Sequence, residues 1–590
     1  MSREQTSDKH HSTAAGLSLS EWARVADNSD PGGLPHALEG LVGSRHVEAE
    51  VNKAWKLIRD GLDRRIFVDG APIVLVRCPG RARIFGGHCD LPSIGGMSVD
   101  VATHQSFLAL VQRTTDALVR AENLNLLHHP LCFGISDSDA LPSNAENIRG
   151  RSDWLHWTER QSTSHTWEGL LKGTLAFMRT GWLDSDRRRH RALQNQGLRI
   201  LISESDLPSG KGLSASSALP AGLGLALNSL WEVQPGHSSP LLSSSELRHL
   251  DYAAYLVGDL GGMSDITAIL EGRRGRATVL WYSPDRVDQR PLIPADLRVF
   301  AVDSGVDRMD SPGSDPWLSS FSRHTKTLGN VTPPLAVLWM RHLSRTVEEL
   351  RPLEDILLSS GSQVSRCGLL RELTVAGSLS EHSYRPEFVD QLLEQLPNNW
   401  TLERIQEVLQ ASLPDLREEL VELAADLAPL GRQPVSTTRI PMRQMAYYGI
   451  QEIRRGIAYI GALSAGDISK LVRLCNQAHD GDRAIYDPFR RTSEGHPALT
   501  GWGRKPPKEA FQRSLPIIDA WVDQFRDFME QECGPEQASA RISGAGLGGL
   551  ISIHVAAQHH HKAIDWWRNR GHSIIPIDPS EGASLIHVAH

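Results

Sequence analysis

The 590-residue chain is 40% hydrophobic and 22% charged, the balance of a globular protein in water and too long for a single core, so two or more domains are expected. Its net charge of −8 is spread without a basic stripe, which argues against a nucleic-acid partner. Six cysteines (78, 89, 132, 367, 475, 533) show no C-x-x-C spacing, as expected for reduced thiols without a cysteine zinc site. Met1 to Asp30 lacks an apolar h-region and no apolar run of about 18 residues occurs, so no membrane partner is expected and a cytoplasmic location is.

In chain order, residues 1–35 are polar and end in Asn28-Ser29-Asp30-Pro31-Gly32-Gly33, the composition of a flexible arm. Val47, Val51, Ala54, Trp55 and Ile58 then recur at helical spacing. Strands are predicted at Ile73–Val76 and Ser106–Val111, and residues 136–165, rich in Ser, Asp and Asn, read as a surface loop. The segment Leu198–Ile202 reads as a strand that runs into a turn of glycines and hydroxyl residues and then into an apolar helix beginning near Ser217. Residues 325–437 form a helix-rich block (Leu335–Glu349, Glu387–Leu396, Leu402–Leu409, Leu416–Leu427), read as an insertion that is either structural, a lid or an oligomer contact. A helix over Tyr447–Leu463 and strands at Leu550–Val555, Ser573–Ile577 and Ala583–Val588 follow. The run His559-His560-His561 cannot turn three consecutive side chains toward one ion and is read as surface.

Chemistry concentrates at Pro208-Ser209-Gly210-Lys211-Gly212-Leu213-Ser214-Ala215-Ser216-Ser217-Ala218. Glycines let a backbone approach a ligand closely, and the N–H groups opening a helix attract anions, so the stretch suits a polyphosphate; alone, it could be only a turn. A Walker-type P-loop is excluded, because Ser205 and Gly212 stand where its first Gly and its hydroxyl residue belong. The stretch resembles the second motif of the GHMP kinases, P-x-G-x-G-L-x-S-S-A. Cys78-Pro79-Gly80-Arg81-Ala82-Arg83-Ile84-Phe85-Gly86-Gly87-His88-Cys89-Asp90 resembles the galactokinase signature A-P-G-R-x-N-L-I-G-E-H-T-D. Ser543-Gly544-Ala545-Gly546-Leu547-Gly548-Gly549 resembles the third, Gly-rich motif. Trp167 to Gly173, Gly261-Gly262-Met263-Ser264-Asp265, Val302 to Val306 and Gly449 to Arg455 resemble further segments of the galactokinase branch. The likeness covers roughly 70–325 and 438–590.

This resemblance implies an α+β fold of two domains, ribosomal S5-like and then ferredoxin-like, with the active site between them. The divisions expected are an N-terminal extension (1–68), a first domain (69–325), a helix-rich insertion (326–437) and a second domain (438–590). It implies ATP and Mg²⁺ as cofactors and a sugar-like small molecule as substrate. Pro208, Gly210, Lys211, Gly212, Leu213, Ser214, Ala215, Ser216 and Ser217 would cradle the nucleotide phosphates, with Ser216 also a ligand of Mg²⁺. Asp265 would orient, or take a proton from, the accepting hydroxyl, and Arg81 would hold that carboxylate ionised and neutralise the transferring phosphoryl group. Asp90, His88, Gly87 and Gly262 would line the sugar pocket.

Departures from the pattern shape the expectation. Gly87 replaces the signature glutamate that contacts outer hydroxyls of the sugar, and the arabinokinase-like branch has Gly-Gly here, so galactose itself is in doubt. Ala215 replaces a motif serine, and Ala253 falls where a Mg²⁺-ligating glutamate is expected, with Asp251 or Asp259 nearby. The expected activity is transfer of the γ-phosphoryl group of ATP to a monosaccharide hydroxyl, the anomeric one foremost. The alternatives are a non-catalytic regulator that binds sugar and ATP, or a kinase of a cyclitol or amino-sugar.

Overall fold

Thirteen consecutive residues, Ile73–Phe85, are all buried, including Arg77, Arg81 and Arg83. A strand without an exposed face must be covered on both sides, and this one forms the spine of the first of two main sheets. The computed structural model describes residues 16–27, 33–86, 96–126, 128–134, 147–159, 167–183, 196–207, 212–232, 242–257, 263–282, 286–306, 332, 334–348, 351, 392–397, 400–416, 420, 439–440, 442–482, 486–491, 497–499, 516–543 and 549–588.

The strands are β1 (Ile73–Phe85), β2 (Met97–Thr114), β3 (Leu118–Asn123), β4 (Leu131–Gly134), β5 (Gly197–Ile202), β6 (Thr278–Trp281), β7 (Arg286–Gln289) and β8 (Leu297–Asp303). Two short pairs follow, β9 (Trp400–Thr401) with β10 (Arg439–Ile440) and β11 (Tyr486–Arg491) with β12 (Pro497–Leu499). The last four are β13 (Ala538–Ile542), β14 (Leu550–Ala556), β15 (Ile574–Pro576) and β16 (Ser584–Leu585).

The first sheet runs β16-β1-β2-β5-β3-β4, with β6 and β7 attached through β2. Only β3 and β5 pair in parallel within it; the helix Ala215–Glu232 packs across β1. The second sheet, β13-β14-β8-β15, is antiparallel and packs on the helices Pro516–Cys533 and His560–Arg568 through Phe300, Val522, Phe525, Ile553 and Trp567. The mixed α+β architecture expected from sequence is therefore present.

Sheet membership cuts across the expected sequence divisions. β8, expected with the first domain, lies in the second sheet in register Leu550↔Asp303 through Ala556↔Leu297. The C-terminal β16 returns to the first sheet, Val76↔Leu585 and Arg77↔Ser584. The reason is apolar: Phe300 and Val302 belong to the second core, and Ile586 joins the cluster of Leu75, Leu108 and Leu201 on the first sheet.

The N-terminal segment differs from the flexible arm expected. Leu19–Asp27 is helical, and Trp22 is buried with its indole N–H donated to the Ile73 carbonyl at 3.0 Å. The helices Leu34–Val42 and Val47–Arg64 complete this layer over the sheet, the latter on the apolar periodicity read from sequence. In the 326–437 block, backbone over 334–346 and Leu402–Ser412 is helical, and Leu335, Leu338, Ile405 and Leu409 join the same apolar cluster as Val76 and Ala218. Among the described residues no helix is long and apolar enough to cross a membrane.

Candidate active site

The strand and the helix read from sequence are both present: β5 ends at Ile202, and a helix runs Ala215–Glu232, opening two residues before Ser217. Its first turn carries Ala215, Ser216 and Ser217; Ser217 and Ala218 donate backbone N–H groups to the Ser214 carbonyl, each at 3.1 Å. Gly212 (φ +89°) and Ser214 (φ +56°) lie in the left-handed region, easy for glycine and costly for serine. A Cβ on Gly212 would meet nothing within 4 Å among the described residues, so they leave open space there. A non-glycine residue held at positive φ is a feature of sites where geometry outweighs comfort, and here it has a visible result. Ser214 Oγ donates to Asp265 Oδ2 at 2.6 Å.

Asp265 sits in the first turn of the helix Ser264–Glu271. Its other oxygen receives Arg81 Nε at 2.8 Å, a second, shorter contact from Arg81 Nη2, and Ser264 Oγ at 3.1 Å. The structure thus brings together Arg81 and Asp265, 184 residues apart, and adds Ser214 of the phosphate loop. β1 and the loop are locked by backbone, with Arg81 N–H donated to the Leu213 carbonyl at 3.0 Å. Gly80 permits this approach, since a Cβ there would lie 2.3 Å from Leu207 Cδ2 and 2.6 Å from the Leu213 carbonyl oxygen.

Two further residues escaped the sequence reading. Arg83 lies 3.7 Å from Asp265, donates to Ser264 Oγ at 2.8 Å and pairs with Asp100 at 3.2 Å. Asp100, fully buried on β2, stands directly opposite Arg83 in the ladder and 3.8 Å from Arg81. A signal existed: Arg81 and Arg83 are two apart on a strand and therefore share a face. Asp100 carried no such signal, because its place depends on the β1–β2 register.

Electrostatics distinguish the two carboxylates. Burial works against the charge of Asp265, but Arg81, then Arg83, then the Ser214 hydroxyl outweigh it and hold its pKa below the usual carboxylate range. Burial wins at Asp100, whose pKa is raised despite Arg83 and Arg81. Asp265 is also the accessible member, its side chain 23% exposed against 0% for Asp100. Arg81 Nη1 is buried and has no hydrogen-bond partner among the described residues. The arrangement can therefore offer one ionised carboxylate and one unpartnered guanidinium nitrogen beside a glycine-bearing loop and a helix N-terminus.

Other expected site residues stand apart from this geometry. Gly87, His88, Asp90, Pro208, Gly210, Lys211 and Gly262 lie outside the described residues, as does Asp259. Ala253 is buried in the 3-10 segment Leu250–Val257 that packs on the helix Trp167–Phe177, and Asp251 is buried in the same segment. Of the third motif, Gly549 is described: its N–H reaches the Val306 carbonyl at 2.9 Å and its carbonyl accepts from Ser304 N–H at 3.0 Å, joining that turn to the one after β8.

Comparison with known proteins adds three findings. Residues 182–273, which include the phosphate loop and Asp265, match the GHMP kinases N terminal domain. Galactokinases of Chloroflexus aggregans and Chloroflexus aurantiacus are 28% and 25% identical over 240 and 238 residues, 40% of this chain and 50% of theirs. The chain thus spans about half the length of these curated relatives. The structure of Lactococcus lactis galactokinase complexed with galactose aligns with a TM-score of 0.51 at 15% identity, covering 89% of this chain and 99% of that one, a likeness of fold.

Proposed function

From a chain whose family match, relatives and fold support the galactokinase-like branch of the GHMP kinases, we propose an ATP- and Mg²⁺-dependent kinase that phosphorylates a monosaccharide. The accepting group is a sugar hydroxyl, the anomeric one foremost. The observation that carries the reading is the contact of Asp265 with both Arg81 and Ser214, which sets an ionised carboxylate at the mouth of the phosphate loop.

In this reading the sugar hydroxyl oxygen bonds to the γ-phosphorus of ATP while the bond from that phosphorus to the β–γ bridging oxygen breaks and ADP departs. Asp265, with its pKa held low, is a weak base before reaction. Its task is to accept the hydrogen bond of the hydroxyl and fix its direction, taking the proton late, as the new bond raises hydroxyl acidity. Arg81 Nη1 is the spare donor for the phosphoryl oxygens. The backbone around Gly212–Ser214 and the helix opening at Ala215 receive the β- and γ-phosphates. Mg²⁺, when bound, would neutralise charge on those phosphates. The Ser216 hydroxyl in the first helical turn is a fitting oxygen ligand, whereas Ala253 supplies none.

The proposed substrate departs from galactose because Gly87 lacks the carboxylate that the galactokinase signature uses to read outer hydroxyls. A pentose, or a sugar with a bulkier substituent, is the better fit. The test is ADP release with a panel of aldoses, uronic acids, amino-sugars and cyclitols in the presence of ATP and Mg²⁺. Turnover of a monosaccharide other than galactose at the highest kcat/KM is expected. Calorimetric binding of ATP and sugar without turnover would make the protein a regulator, and galactose as the best substrate would overturn the substrate reading.

A further inference from the structure

Away from the catalytic cluster, three metal-ligating side chains from distant parts of the chain converge. His46 precedes the helix Val47–Arg64, His104 lies on β2, and Asp578 lies in the tail between β15 and β16. One ligand atom from each falls within 4.8 Å of the others. His46 Nε2 is 2.9 Å from Asp578 Oδ2, and the two imidazoles are stacked with centroids 3.8 Å apart. His104 Nδ1 is buried without a hydrogen-bond partner among the described residues. An orphaned buried nitrogen calls for an explanation, and an ion is one of the few available.

We propose that His46, His104 and Asp578 form a binding site for a divalent transition-metal ion, zinc foremost. Two imidazoles and one carboxylate are a donor set that suits zinc, leaving a fourth position for water. Zinc–ligand bonds of about 2.0–2.2 Å put tetrahedral ligand atoms about 3.3–3.5 Å apart. Closure therefore requires side-chain shifts of about 1 Å and a splaying of the stacked rings. The ion would replace the direct His46–Asp578 contact and supply the partner that His104 lacks.

The position gives such an ion something to hold. Immediately after Asp578, Pro579 bridges to Thr103, and Ser580 N–H reaches the Ala102 carbonyl at 2.8 Å. The tail continues to Gly582 and Ala583, whose N–H groups reach the Gly272 and Ile269 carbonyls at 3.1 and 2.7 Å. Those carbonyls end the helix that opens with Ser264 and Asp265. A metal at this site would clasp the N-terminal helices, the first sheet and the tail that abuts the catalytic helix.

The experiment uses full-length protein stripped with chelator and then titrated with Zn²⁺ by calorimetry and, separately, with Co²⁺ read by its visible absorption. One equivalent should bind, and Zn²⁺ should slow amide exchange over residues 577–586. His46→Ala and Asp578→Asn should each weaken binding at least about tenfold, since loss of a mere outer-shell partner already costs 10- to 100-fold. The double substitution His559→Ala with His561→Ala should leave it intact. Absence of stoichiometric binding, binding unchanged in Asp578→Asn, or loss of binding in the His559→Ala, His561→Ala double variant would each overturn the proposal. Should His46→Ala fail to fold, Asp578→Asn, which keeps side-chain size, decides by the same readings.

Discussion

Two ion clusters hang from the same strand, and they are built to opposite ends. Arg77 is fully buried and each of its guanidinium nitrogens has an acceptor: it donates to Glu50 at 3.2 Å and to the carbonyls of Thr103, His104 and Glu581 at 2.9–3.1 Å. Glu50 in turn receives Lys53 at 2.9 Å and the Ser106 hydroxyl. Four residues on, Arg81 meets Asp265, which is partly exposed, and keeps its Nη1 without a partner among the described residues. Both clusters pair arginine with a carboxylate whose pKa is lowered against burial. An unpartnered guanidinium nitrogen and access to solvent, rather than charge, separate the proposed active site from a cluster that holds the helix Val47–Arg64 to the sheet.

The largest test of this contrast is at the open cluster. Asp265→Asn should lower kcat by about 10²–10⁴ with little change in ATP affinity, because it removes the hydroxyl acceptor and no phosphate contact. Steady-state kinetics beside nucleotide titration checks this, and near-normal kcat would take Asp265 out of the chemistry.

Breaking the closed cluster should have the converse signature. Glu50→Ala strands the buried Arg77 and should cost about 3–5 kcal/mol of stability, with kcat per folded molecule largely retained. Denaturant unfolding measures the first, and activity normalised to the folded fraction measures the second.

Gly212→Val should weaken nucleotide binding by roughly tenfold or more, from left-handed strain of about 1–2 kcal/mol and a side chain set into the open space of the loop. Unchanged binding of ATP by calorimetry would remove this loop from the phosphate site.

The smallest expected effect concerns pH. His554 on β14 is fully buried, neither ring nitrogen has a hydrogen-bond partner among the described residues, and burial first, then Arg541, push its pKa from the ordinary 6.5 down to about 3. Below pH 6.5 the unfolded chain takes up a proton that the folded ring refuses, so stability falls as pH drops from there toward about 3. His554→Leu should flatten the upper part of that decline in Tm measured against pH; an unchanged slope would assign it to other groups.

How much was legible differs by residue and for physical reasons. Arg81 and Asp265 were singled out through the resemblance of their segments to family motifs, and the 212–217 turn also because its residues encode backbone geometry: glycine for close approach, a hydroxyl residue at a helix start. The Ser214–Asp265 hydrogen bond and the role of Arg83 were not, since each needs the fold to bring a second segment alongside. The helix Leu19–Asp27 was misread as an arm because polar residues dominate residues 1–35 as a whole, while Trp22 anchors the helix to β1.

The amino-acid sequence by itself determined the strand and the helix that flank the proposed phosphate loop, the amphipathic helix over 47–64 and the apolar strands, because these rest on interactions a few residues long. Tertiary structure alone decided that β8 pairs with β14, that the tail returns beside β1, and that His46 meets Asp578 across 532 residues. It also decided which of two buried carboxylates, Asp100 or Asp265, remains within reach of solvent. Those outcomes follow from which apolar faces cover which sheets, a competition over the whole chain that no local pattern records.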